Sequence, residues 1–318
     1  MIDTAPTRVT AVVSTYKPHY PYLATAIESA LAQSVPVEVL VTDSACDNAV
    51  REFVGKYGSR VRYRTHAAPV GVAENHRTAI AEVTTPYLAI LNHDDAWEPG
   101  FLETLVPPLD AHPECILAFA DHWFMDSADR IDVAMSERMT TRWGRATLTE
   151  GEQSDRASLL AGGTVPVAMS TLLRTAEAQR HPIPNAAGPA YDIWLNYALA
   201  TEQRPYWYSP RRLTRWRVHQ SATSAGNPDW YRGTAYTWEL VRADPHFTAI
   251  HPQASRLAAR AWLTLAKSLL RRHEKPSLIR EAAERSVTAQ PSVEARAVLH
   301  TPGLVRWLLA ARDRLRQT

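Results

Sequence analysis

Short apolar runs rich in β-branched residues alternate with helix-spaced apolar positions over the first 125 residues. VTAVVST at 9–15 is apolar on both sides of its pleat, as in a strand buried on both faces. YKPHYPY is a Pro-rich connection. In YLATAIESALAQS, Leu23, Ala26, Ile27, Ala30 and Leu31 share one helical face. VEVLVTD at 37–43 predicts a second buried strand, and AVREFVGKYG a short helix closing at Gly58. RVRYRTH at 60–66 alternates, which predicts a strand with one exposed face, nearer an edge. VGVAENHRTAIAEV brings Val72, His76, Ala79, Ile80 and Val83 onto one helical face. YLAILNHDD at 87–95 predicts a strand running into an acidic loop. PGFLETLVPPLDAH predicts a helix with Pro99 near its first turn, and CILAFADHWF at 115–124 another strand.

This alternation with short connections predicts an α/β fold, a mostly parallel sheet flanked by helices on both faces. Ligands of such sheets bind at the carboxyl ends of the strands. The candidate residues are therefore those directly after each apolar run: Thr15 and Tyr16, Asp43, the Asn92–Asp95 cluster, then Asp121 and His122.

The pattern weakens past residue 126. SADRIDVAMSERMTTRWGRATLTEGEQS is polar and aperiodic, and is expected to be a long loop region serving as lid or acceptor platform. Gly162-Gly163 predicts a turn before a strand. GPAYDIWLNYALA at 188–200 predicts a helix with Asp192 in its first turn, where the helix dipole favours negative charge. RRLTRWRVHQSATS at 211–224 reads as a strand-like run with Arg215, Arg217 and His219 on one side, able to meet a pyrophosphate. From about Asp229 onward, two or three short antiparallel helices are expected. The layout is thus a domain over 1–225 and a helical C-terminal extension over 226–318.

Composition narrows the function. With 45% hydrophobic and 21% charged residues the chain has the make-up of a folded domain. A formal charge of +2 gives no basic stripe for a phosphate backbone, so no nucleic-acid partner is expected. The N-terminus carries an acid and no apolar core, unlike a signal peptide, and two cysteines make no disulfide framework. A reducing, cytoplasmic setting is therefore the expectation. No GxGxxG follows the first strand, and GxxxxGK[ST], CxxC and HExxH are absent.

The loop Asn92-His93-Asp94-Asp95 places two adjacent carboxylates beyond a buried strand. Their desolvation and repulsion call for a compensating cation or donor, and hard oxygen ligands suit Mg²⁺ or Mn²⁺. Capping of the following helix is the competing role for Asp95.

Taken in order, VSTYKP, VLVTDSACDN, VGVAENHRTAI and YLAILNHDDAWEPGFLE resemble the family 2 inverting glycosyltransferases of the GT-A fold, over roughly residues 8–225. The resemblance implies a nucleoside-diphosphate-sugar donor, Mg²⁺ or Mn²⁺, and a glycan, lipid-linked or small-molecule acceptor hydroxyl. The setting it implies is bacterial polysaccharide, cell-surface glycan or glycosylated natural-product synthesis. It assigns Thr15, Tyr16, Asp43, Asn75, Asp95 and Arg217 to nucleotide and donor contacts, with Asp95 alternatively supporting its loop. Asp94 and His219 would be metal ligands, and Asp192, before Trp194, the general base.

Four positions depart from the family pattern. Asn92 stands where the first Asp of the metal motif is common, Thr42 and Ser44 flank Asp43 where Asp and Gly are common, and Ala190 replaces an acid two places before Asp192. Trp97, Trp123, Trp194 and Trp216 are open to sugar stacking or core packing. The alternatives are a non-catalytic nucleotide-sugar-binding relative, which Asn92 would suit, and a sugar-phosphate nucleotidylyltransferase, which the glycine-free STYKPHYP disfavours.

The last helix sets Leu304, Trp307, Leu308 and Ala311 on one side, near Arg306, Arg312, Arg314 and Arg316. Packing on the catalytic domain or on a second subunit in a homodimer is the plain expectation. A basic amphipathic helix also allows peripheral contact with the inner face of a membrane.

Overall fold

A computed structural model of the chain describes residues 6–219 and 226–315. It divides into two compact units, Met1–Asn185 with Leu195–Ala222, and Ala186–Trp194 with Thr223–Thr318.

The first unit alternates as the apolar pattern predicts. β1 (Val9–Thr15), α1 (Tyr20–Leu31), β2 (Val37–Asp43), α2 (Asn48–Gly55), β3 (Val61–Thr65), α3 (Val72–Ala81) and β4 (Tyr87–Asn92) follow one another. Then come β5 (Ala96–Trp97), α4 (Phe101–Ala111), β6 (Leu117–Met125), β7 (Ile131–Asp132), α5 (Val133–Arg142), β8 (Gly151–Gln153) and α6 (Arg156–Gly162). β9 (Thr171–Arg174), α7 (Thr175–Arg180), α8 (Tyr191–Ala200) and β10 (Tyr206–Arg217) complete the sequence, with the unit boundary falling inside α8.

All strands join one sheet in the order β3-β2-β1-β4-β9-β6-β10-β5, with β7 on β6 and β8 on β10. β3 is the edge its alternation predicts. β3-β2-β1-β4 pair in parallel, as do β6 and β10, and antiparallel β9 joins the two blocks. Val9 to Val13, Val39 to Val41 and Leu88 to Leu91 are buried, and the core continues into Leu23, Ala26, Ile27 and Ala30 of α1. This buried framework fixes the register in which Thr15 lies beside Asp43, and Ser14 beside Asn92. Three candidate residues therefore end adjacent strands at one rim.

Three expectations are corrected. Asp121 and His122 lie inside β6, not beyond it, because the strand extends to Met125. The stretch after 126 is not a continuous loop but contains α5 and α6. α5 starts at an Asp132 side chain that accepts from the Met135 amide (2.8 Å), and its only buried residue is Ser136, so it leaves no apolar stripe to read. β10 begins at Tyr206, five residues before the expected start. Pro210 falls where its register shifts against β6, a bulge that interrupts the pattern.

The second unit is helical beyond its 186–194 segment. α9 (Pro228–Ala243), α10 (His251–Arg271), α11 (Pro276–Ala289), α12 (Val293–His300) and α13 (Pro302–Leu315) replace the expected two or three helices. Their core joins Ala235, Trp262, Leu265, Leu269, Ile279, Ala283, Val298 and Val305. Gly233 is required where α9 meets the 186–190 segment: a Cβ there would lie 1.9 Å from the Ala187 carbonyl oxygen. On α13, Leu304, Trp307 and Leu308 are exposed, while Val305 and Leu309 are buried. The side chains of Arg312, Arg314 and Arg316 lie outside the described residues, as do the Ser/Thr segment 220–224 and the expected boundary at 225. Among the described residues no helix is long and apolar enough to cross a membrane.

Candidate active site

The carboxyl rim of the first block is held together by its own polar residues. Thr15 is buried at the end of β1, and its Oγ1 has no hydrogen-bond partner. Its carbonyl accepts from the amide and hydroxyl of Ser44, both at 3.1 Å. Tyr16 is exposed and stands beside Lys17, whose ammonium lies 5.5 Å from the ring. Asp43 is fully buried. Its Oδ1 accepts from the Ala45 amide (2.9 Å), and its Oδ2 from the Asp47 amide (2.7 Å) and the Tyr63 hydroxyl (3.0 Å). Asp43 thereby shapes the loop after β2. Burial, with the nearby Asp43 charge, pushes the Tyr63 phenol up to about 12.

Asn75, on α3, is turned toward the same edge. Its Oδ1 accepts from Thr42 Oγ1 (2.7 Å) and lies 2.9 Å from His66 Nε2, while its amide donates to the Thr42 carbonyl (3.2 Å). Arg64 reaches the same cluster, 2.9 Å from His66 Nε2. Asn75 thus ties α3 to β2 at Thr42, beside Asp43.

The acidic loop is the most tightly built part. Asp95 is buried. Its Oδ1 accepts from the Arg217 backbone amide (2.9 Å) and its Oδ2 from Asn92 Nδ2 (3.2 Å). Burial first, and then the neighbouring Asp94 charge, hold the Asp95 carboxyl well above the usual carboxylate range. Asp95 therefore supports the loop and joins it to β10; the helix-capping alternative is not realised, because α4 begins beyond Gly100 with no side-chain cap.

Asp94 points elsewhere. Its Oδ2 lies 2.9 Å from His219 Nε2, and both side chains keep partial exposure, 19% and 14%. Arg217 locks the pair in place: Nε donates to the Asp94 carbonyl (2.8 Å) and Nη1 to the Asp126 carbonyl (3.1 Å), while Nη2 lies 2.5 Å from Asp129. Its guanidinium also sits 4.0 Å from the Tyr22 ring centroid, a cation–π contact. Arg217 is thus largely committed to protein contacts, whereas Arg215 forms a bidentate pair with Glu98 (2.6 and 2.8 Å).

Asp94 and His219 are 125 residues apart in sequence and meet at the rim. A carboxylate oxygen and an imidazole nitrogen this close could supply two ligands to a divalent cation. The separate grouping of Glu114, Cys115 and Glu152 lies on other elements and does not include these residues.

Asp192 belongs to the second unit. It sits in the first turn of α8, and its Oδ1 is buried without a hydrogen-bond partner. Burial pushes its carboxyl up to about 6, against the lowering pull of its own amide and that of Ile193.

One polar network escaped the sequence reading. Asp121 Oδ1 accepts from Arg145 Nε (2.7 Å), its Oδ2 accepts from the Thr140 hydroxyl, and Arg212 Nε lies 3.5 Å from it. Asp121 was legible as an acid in an apolar strand, but Arg145 and Thr140 come from the aperiodic stretch and carry no local signal. Of the four candidate tryptophans, Trp97 is buried on Phe101, Trp216 stacks with Trp143, and Trp123 lies under Arg212 at 4.6 Å. Trp194 is partly buried in the second unit.

Residues 10–155 match the model of glycosyl transferase family 2. An uncharacterised protein of Mycobacterium tuberculosis is 31% identical over 105 residues, 31% of this chain and 30% of that protein. An uncharacterised protein of Sinorhizobium fredii is 30% identical over 225 residues, 69% of this chain and 23% of that protein. The matches span less than a third of these relatives' lengths.

Among solved structures, S. aureus TarS 1-349 superposes with TM-score 0.61 at 11% identity, covering 91% of this chain and 90% of that one. The same TarS fragment in complex with UDP-GlcNAc gives 0.60 at 12% identity, with the same coverage. The mannosyltransferase PcManGT from Pyrobaculum calidifontis, in complex with GDP-Man and Mn²⁺, gives 0.58 at 17% identity over 95% of this chain and 83% of that one. These likenesses establish a glycosyltransferase GT-A-type fold. Over residues 10–155 the chain is thus similar to glycosyl transferase family 2, on a GT-A-type fold.

Proposed function

We propose that the protein is a metal-dependent, inverting glycosyltransferase that moves a sugar from a nucleoside-diphosphate sugar to an acceptor hydroxyl. The observation that carries this reading is the Asp94–His219 pair, fixed by Arg217 at the strand rim that also bears Thr15 and Asp43. The donor complexes named for TarS and for the mannosyltransferase support the same donor class.

Asp94 and His219 would hold Mg²⁺ or Mn²⁺, and the chemistry of one carboxylate and one imidazole fits such a cation with a diphosphate completing its shell. When bound, the cation neutralises charge on the departing nucleoside diphosphate. Asn92 contributes no charge there; its amide orients Asp95. Thr15 Oγ1, the exposed Tyr16 ring and the loop shaped by Asp43 line the nucleotide side. Asn75 and Arg217 act on the donor by holding the surrounding segments in place.

Asp192 is the proposed general base. A carboxyl raised to about 6 is a stronger base than an ordinary aspartate, yet is mostly ionised at neutral pH. It would accept the acceptor's proton as the hydroxyl attacks the anomeric carbon, and a single displacement inverts that centre.

The test is release of nucleoside diphosphate from a panel of nucleotide sugars with Mn²⁺ and acceptor sugars. Metal-dependent release from one donor, abolished in Asp94→Asn, is expected. No release from any donor, with no nucleotide binding by calorimetry, would overturn the reading.

A further inference from the structure

The edge of the sheet contains a gap that the family reading does not use. β10 is covered on its outer edge by β8 at Tyr206–Tyr208 and by β5 at Thr214–Arg215. Between these two pairings lies the bulged stretch 209–213, against which neither strand pairs. A cavity of about 770 Å³ opens there, lined by Tyr208 and Arg212 of β10, Asp121 and Trp123 of β6, and Thr140 and Arg145, among others.

Its charge is unbalanced toward positive. Asp121 is the buried acid, and Arg145 offsets it through a 2.7 Å ion pair with both side chains at most 2% exposed. Arg212 shares the same carboxylate, its Nε 3.5 Å from Asp121 Oδ2, so the two guanidinium groups and one acid leave a net positive charge. The other lining acid, Glu98, is held by Arg215, and Arg211 donates to Thr104 Oγ1 at 2.7 Å.

The guanidinium groups also carry unused donors. Arg145 Nη2 and Arg212 Nε are buried and make no hydrogen bond. Arg145 Nη1 is spent on the Thr164 carbonyl (2.9 Å), and Arg212 Nη2 contacts Thr140 Oγ1 at 3.3 Å. Buried guanidinium donors without acceptors cost free energy that an oxyanion would recover. Arg212 sits over the Trp123 ring, 4.6 Å from its centroid.

We infer that this cavity is a binding site for a small ligand bearing a compact oxyanion, of the phosphate class, separate from the donor site. Arg212 precedes Arg217 by five residues on β10. At about 3.3 Å per residue that places Arg212 roughly 15 Å along the strand from Arg217, whose amide holds Asp95. The volume exceeds that of a bare phosphate, so either free phosphate or a phosphorylated sugar fits the same donors. The inference rests on the cavity and not on the glycosyltransferase reading.

The test is calorimetric titration of inorganic phosphate, and separately of a hexose phosphate, into the full chain in EDTA. Chelation removes any cation-mediated phosphate binding at Asp94. Saturable binding is expected, weakened at least tenfold in Arg212→Gln and unchanged in Asp94→Asn. Hexose phosphate binding tenfold tighter than phosphate identifies a sugar-borne anion, and equal affinity identifies the free anion; both support the site. Absence of saturable binding of either probe, or equal affinity in Arg212→Gln and wild type, would overturn it. The thermal unfolding midpoint of Arg212→Gln in the absence of ligand shows that lost binding is not lost folding.

Discussion

Two buried aspartates beside β10, one at its middle and one at its end, are satisfied in opposite ways. Asp95 is held by neutral donors, the Arg217 amide and Asn92 Nδ2, and has a second carboxylate beside it. Asp121 is held by a buried arginine, with another guanidinium close by. The first region gathers negative charge at the rim, the second leaves positive charge in a cavity. The difference teaches that one strand can serve ligands of opposite sign, because its backbone amide and its side chains are directed to different acids.

Asp192, a third buried carboxyl with neither an arginine nor a side-chain donor among its pKa determinants, sharpens the contrast and predicts the largest effect. Asp192→Asn should lower turnover by about 10²–10⁴-fold while leaving nucleotide affinity unchanged, as expected for loss of a general base. Steady-state kinetics beside calorimetry reads both. In the wild type, kcat/KM should rise with pH through about 6 and level off above it, since the base must be unprotonated. The stability sign runs the other way. A carboxyl whose folded pKa is raised favours the folded state most below its unfolded pKa, near 4, and that contribution is lost as pH rises toward about 6. Asp192→Asn should flatten this part of the stability–pH curve.

The next effect separates the two aspartates directly. Asp121→Ala strands the Arg145 guanidinium and should cost about 3–5 kcal/mol in chemical denaturation. Asp95→Asn should cost less, about 1–2 kcal/mol: its amide oxygen can still accept from the Arg217 amide and the repulsion with Asp94 disappears, but Asn92 Nδ2 loses its acceptor. Equal losses for the two variants would erase the distinction drawn between them.

The same contrast explains what was readable from the chain. The acidic loop was legible because Asp94 and Asp95 stand together after the buried run YLAIL, and a strand order alone carries them to the rim. Their partners were only partly so. Arg217 and His219 fall in a basic alternation, but its direction toward Asp94, and the consumption of Arg217 by main-chain carbonyls, depend on β10 being long and bulged at Pro210. Arg145 gave no signal: it follows a helix whose only buried residue is Ser136, so no apolar periodicity marks the element that delivers it. Hydrophobic pattern encodes which face is buried, whereas a buried ion pair between distant segments leaves no mark on either segment alone. The C-terminal helices show the complementary limit, since their apolar stripes were readable while their number was not.

The central claim is that Asp94 and His219 hold a divalent cation for a nucleoside diphosphate. It is tested most directly by calorimetry of UDP and GDP with and without Mn²⁺, on the wild type and on Asp94→Asn. The account predicts that Mn²⁺ tightens binding of one of these nucleotides at least tenfold in the wild type and leaves it unchanged in the variant. Binding of the same strength with and without the metal in the wild type would contradict it.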